Sequence, residues 1–167
     1  MNTTAFIKSS LEASKSATLG LIVDLKDNPL AQPTANGGNH AHWILGHLVV
    51  SESGIIHNIV LGNDSSPHSK WEPLFGHTTQ PLTDDSTYPP FDELLNAWEE
   101  VRAFTLATLD TLTDDDLDKK APGCPEGWES FFGTIGQCYA TQIFHPTMHY
   151  GQLADIRKSL SRELLMA

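Results

Sequence analysis

The segment FHPTMHYGQL, Phe144 to Leu153, carries two histidines four apart with a proline between them. At about 3.6 residues per helical turn, residues four apart lie one above the other, so His145 and His149 can converge on one ion. Neutral imidazole nitrogens suit a divalent transition metal such as Zn, Ni or Fe, and two of them make an incomplete site. A third ligand must come from elsewhere in the chain. His47, in WILGHLVV, is the strongest candidate, because it lies mid-helix in the most hydrophobic segment, where a lone imidazole without a partner costs free energy. His57, ten residues on, would lie about 15 Å further along the same helix, too far to share the ion. An i, i+4 histidine pair also occurs as a hydrogen-bonded core pair or a chance surface pair, so spacing alone leaves those readings open. Pro146 removes the amide that would bond the Gln142 carbonyl and predicts a bend, which serves equally to re-aim His145 or to suit packing.

Other candidates read as structural. His40, His42, His68 and His77 lie in or near loops, where solvated surface histidine is the default. Cys138, seven residues before His145, is about 10 Å away by helical rise and reads as core. Glu52 points around its helix from His47, and Trp43, Trp98 and Trp128 read as core or loop-anchoring aromatics.

Four long helical segments must position these residues. From about Thr4 to Lys26, Ile7, Leu11, Thr18, Leu21 and Leu25 form one stripe, with Ser14 filling the remaining step. DNP ends that helix. Asn39 is the expected N-cap of a second helix running to about Leu61, apolar on most sides and therefore central. Gly62 to Pro90 has no sustained periodicity and is too long for an ordinary connection, with one helical turn expected near WEPLF. A third helix starts at PPFDELL and turns Phe91, Leu94, Trp98, Val101, Thr105, Thr108 and Leu112 to one side. TDDDLDKK predicts a short turn opened by Thr113 or Asp114, and APGCPEGWES a loop. In the last helix Ile135, Cys138, Gln142, His145, His149, Leu153, Ile156 and Leu160 recur in steps of three or four, so both histidines face inward. The expected fold is all-α: a single domain over residues 1–167, a four-helix bundle with a long crossover between helices 2 and 3.

Composition narrows the function. Ten Lys and Arg against 21 Asp and Glu, a net charge of −11, exclude a phosphate-backbone reader, so no nucleic acid is expected. Two cysteines without CxxC spacing point to a reduced, cytoplasmic protein. The N-terminal MNTTAFIKSSLEASKS lacks the apolar run of a signal peptide, so no leader is expected. WILGHLVVSESGIIHNIVLG is about span length but too polar for a membrane helix, so no membrane is expected either. No glutamate stands three residues before a histidine, which disfavours di-iron chemistry of the ferritin kind.

Together, WILGHL on the second helix, a long insertion, and HPTMHYGQLADIR on the fourth resemble the DinB-like superfamily of small helical metalloenzymes. The resemblance spans essentially the whole chain and implies three histidine ligands, at His47, His145 and His149, on a bundle that is often a homodimer. It aligns Gly151, Gln152 and Arg157 with recurrent family positions, which we assign to packing or dimer contacts. It also implies thiol-dependent S-transferase or isomerase chemistry on a small-molecule substrate, with a low-molecular-weight thiol as cosubstrate and a tie to stress response. A metal-dependent hydrolase and a non-catalytic stress-response scaffold are the alternatives.

Overall fold

The computed structural model describes residues 2–163 and 165, and among these the chain is all-α, without strands. Helix α1 spans Thr3–Asp24 and opens on Asn2, whose side chain accepts from the Ala5 amide at 2.9 Å. Its predicted stripe, Ile7, Leu11, Ser14, Thr18, Leu21 and Leu25, is buried. Helix α2 spans Ala41–Gly54 and is buried on nearly all sides. Its N-cap is His40 rather than Asn39: the His40 Nδ1 lone pair accepts from the Trp43 amide at 3.1 Å, as a capping side-chain oxygen would. The helix then widens into a π turn, Ile55–Val60. The Gly123 amide donates to the Ile59 carbonyl there at 3.0 Å. Its backbone lies so close to the Asn58 carbonyl that any Cβ would collide, which is why glycine stands at that position.

The 62–90 connection is an ordered strap containing helix α3, Glu72–Phe75, and the 3₁₀ turns Ser69–Trp71 and Asp85–Thr87. It is held from beneath by two histidines expected at the surface. His40, 0 % exposed, donates from Nε2 to the Leu82 carbonyl at 2.8 Å; His42, 3 % exposed, reaches the Pro89 carbonyl from Nε2 at 2.9 Å. Asp85 lies 2.6 Å from His42 Nδ1 but off the line a hydrogen bond needs. Burial of these rings is a consequence of the strap folding back over the start of α2, a long-range event with no local sequence signal.

Helix α4 spans Phe91–Leu109, and α5, Asp114–Leu117, opens on a Thr113–Asp116 capping box. A turn absent from the sequence reading, α6 at Glu129–Phe132, sits within the expected loop region and its continuation. Helix α7 spans Ile135–Ser159, opened by a Thr134–Gln137 capping box, and runs on through Pro146. The Pro146 carbonyl accepts from the buried Thr18 hydroxyl at 3.1 Å, tying the site of the missing amide to α1.

Two apolar clusters organise the long helices. One joins Leu21 of α1 and Leu25 at its C-cap, Ile44 and Leu48 of α2, Leu94 and Trp98 of α4, and Leu153 and Ile156 of α7. The other joins Ile7 and Leu11, Ile56 and Ile59, Leu109, and Cys138 and Tyr139. It follows that α2 and α4, which the long strap connects, run one way and α1 and α7 the other. Between the clusters in α2 stands Glu52, 1 % exposed. Its carboxylate accepts from Arg102 Nε and Nη2 at 2.7 and 2.9 Å, from Trp98 Nε1 at 3.1 Å and from the Thr105 hydroxyl at 2.8 Å. No helix among the described residues is long and apolar enough to cross a membrane.

Candidate metal centre

His47 comes from the middle of α2, and His145 and His149 from successive turns of α7. Where the antiparallel helices cross, the three side chains meet: His145 Nε2 is 3.1 Å from His47 Nε2 and 3.1 Å from His149 Nε2. One nitrogen from each ring lies within 4.8 Å of the other two, and among the described residues no carboxylate or cysteine joins the group.

Hydrogen bonds behind two of the rings set their protonation. His47 Nδ1 lies 2.7 Å from the Phe75 carbonyl. A carbonyl only accepts, so Nδ1 carries the hydrogen and Nε2 presents a lone pair. His149 Nδ1 donates in the same way to Gln152 Oε1 at 2.9 Å, and Asn39 Nδ2 donates to that oxygen at 3.3 Å. Trp43 stacks on the His47 ring at 4.6 Å and 10°, and its indole is fixed by the Thr79 hydroxyl at 3.1 Å. Burial drives all three imidazoles toward the neutral form, His47 to about 4 and His145 to about 3, with His149 lowered by the same cause.

This donor set fits a divalent cation. Metal–nitrogen bonds of about 2.0–2.1 Å at angles of about 90–110° put neighbouring nitrogens about 2.8–3.4 Å apart, the range of both contacts to His145. Three neutral rings turn inward nitrogens that a single His145 hydrogen cannot satisfy together, whereas one cation engages every lone pair. Three protein ligands leave coordination positions for a small molecule, as catalytic sites do.

The remaining sequence candidates lie elsewhere. His57 stacks on Phe104 at 4.3 Å, away from the cluster. Cys138 is enclosed in the second apolar cluster, where burial pushes its thiol up to about 12, so it is no ready ligand or nucleophile. Glu52 is turned to α4. Sequence reasoning missed the support around the ligands. Gln152, assigned to packing or dimer contacts, instead orients His149, and its i, i+3 spacing was a legible signal. Arg157 does pack, donating from Nε to Asp24 at 2.7 Å. Phe75 acts through its carbonyl, which no sequence pattern displays.

Replacing Gln152 with leucine is expected to weaken zinc binding by about 10–100-fold, the usual cost of losing a partner behind a ligating histidine. Helical circular dichroism should be unchanged; competition with a chromophoric chelator measures the effect.

No curated protein matches the chain. The model of the DinB superfamily matches residues 10–153, from the first half of α1 through both α7 histidines to Leu153, and so takes in all three converging rings. With that match covering most of its 167 residues, the chain belongs to the DinB superfamily.

Proposed function

We propose that the protein is a metal-dependent enzyme in which His47, His145 and His149 hold one divalent transition metal, Zn, Ni or Fe, and a low-molecular-weight thiol is transferred to a small electrophile. The observation that carries this reading is the convergence of three neutral, inward-facing imidazoles without a carboxylate or cysteine among them. When bound, such a cation supplies Lewis acidity that favours the deprotonated form of a thiol or water at neutral pH. The chain's own residues supply position. Phe75 and Gln152 fix the tautomers of His47 and His149, and Trp43 holds the His47 ring face-on. In the proposed transfer the thiol loses its proton to solvent, a sulfur–carbon bond forms at the electrophile, and the leaving group departs with its bonding pair.

The four long helices serve, in this reading, as one four-helix bundle domain with the 62–90 strap as its crossover. We further propose a cytoplasmic homodimer acting without nucleic acid, the last supported by the net charge of −11. The test is conjugation of a thiol panel to a chlorodinitrobenzene by metal-loaded and metal-stripped protein. Metal-dependent product with at least one thiol is expected. Absence of product with every thiol, in protein carrying its metal, overturns the transferase assignment and favours hydrolysis or a scaffold.

A further inference from the structure

Two polar residues, each one helical turn from a histidine of the cluster, have no role in holding the rings. Ser51 stands one turn beyond His47 on α2, and its hydroxyl lies 3.5 Å from His47 Nε2, the acceptor it meets among the described residues. Gln142 stands one turn before His145 on α7; it is 1 % exposed and, among the described residues, its amide nitrogen has no hydrogen-bond partner. At about 100° per residue, positions 142, 145 and 149 fall within about 60° of one another around the helix, so Gln142 shares the ligands' face. Because α2 and α7 are antiparallel, Ser51 and Gln142 are displaced from the cluster toward the same end of the molecule.

We infer that Ser51 and Gln142 are positioning donors for a small anion, a thiolate or hydroxide, bound on the side of the cation that the three histidines leave uncovered. The inference rests on the metal-site reading above and adds the residues that receive its ligand. His47 Nδ1 is committed to the Phe75 carbonyl, so Nε2 has one lone pair to give. A cation takes that lone pair, and the Ser51 hydrogen then loses its acceptor. An anion on the cation's free side replaces it. The buried Gln142 amide is a second donor awaiting an acceptor, and a buried donor left unpaired is costly enough that native structures rarely keep one without a use. Donors supplied by both α2 and α7 would fix the direction in which the anion's remaining lone pair points, which is a contribution to orientation rather than to charge.

The test uses full-length, untagged protein loaded with Co²⁺, titrated with azide and separately with 2-mercaptoethanol, and followed by visible cobalt absorption. Wild type is expected to give a saturable spectral shift with each probe. Ser51→Ala and Gln142→Leu should each retain one cobalt per chain and bind both probes about 10-fold more weakly or worse, as expected for a lost hydrogen bond to a charged group. Ser51→Thr, which keeps the hydroxyl, should recover most of the azide affinity. Unchanged probe affinity in both alanine and leucine variants overturns the inference. So does loss of cobalt from those variants, which would make the two residues part of the metal cage, and so does a cobalt-loaded wild type that binds neither probe. Failure of wild type to take up cobalt at all is a different result: it removes the metal site itself.

Discussion

Replacing His149 with alanine is expected to lower zinc affinity by more than about 100-fold, beyond the 10–100-fold typical of losing a partner behind a ligand. The substitution removes one of three nitrogens and leaves His47 and His145, a pair too few to retain a divalent ion against solvent. It also frees Gln152, whose side-chain oxygen Asn39 shares, from the ring it orients, without disturbing the apolar clusters that hold α2 and α7 together. The variant should therefore fold. A ligand that binds only the native state raises stability by about 2.7 kcal/mol at 100 times its Kd. Thermal melts should show a zinc-dependent rise in wild type and none in His149→Ala. A variant that still retains one zinc per chain would remove His149 from the site.

The second large effect concerns the fold. Glu52→Ala is expected to destabilise the protein by about 3–5 kcal/mol, the cost of leaving a buried charge without its partner. Arg102, 3 % exposed, would lose both carboxylate bonds and keep its donation from Nη1 to the Leu11 carbonyl. Trp98 Nε1 and the Thr105 hydroxyl would lose the same acceptor. Urea denaturation measures the loss as a lowered midpoint. Because the carboxylate is turned to α4 and away from the histidines, Glu52→Gln should keep the metal stoichiometry of wild type. Replacing Glu52 and Arg102 together with apolar residues of similar volume should cost far less than either single change, since no charge is then stranded.

The parts of this molecule legible in its sequence are those governed by local periodicity. The α1 stripe from Ile7 to Leu25 is buried as read, and the short turn after α4 opens on Thr113 with a capping box. His145 and His149 stand out as imidazoles at helical spacing on an inward face, and His47 as one inside the most hydrophobic segment. What remained hidden depends on the strap. Residues 62–90 lack periodicity, so nothing local indicates that this segment folds back to bury His40 and His42 or to offer the Phe75 carbonyl to His47. The π turn at Ile55–Val60 was equally invisible, and the Gly123 amide that bonds its Ile59 carbonyl comes from a distant loop. Glu52 illustrates the middle case: helical phase turns it from His47, but the partners that make its burial tolerable come from α4.

In the proposed site three imidazoles from two antiparallel helices share one cation. Calorimetric titration of metal-stripped, untagged protein with zinc tests it most directly, run in parallel on His47→Ala, His145→Ala and His149→Ala. Wild type is expected to show one saturable site per chain with a Kd below about 1 μM, near −8.2 kcal/mol or tighter, and each of the three variants to lose it. No saturable binding by wild type, or binding that survives the three substitutions, would contradict it.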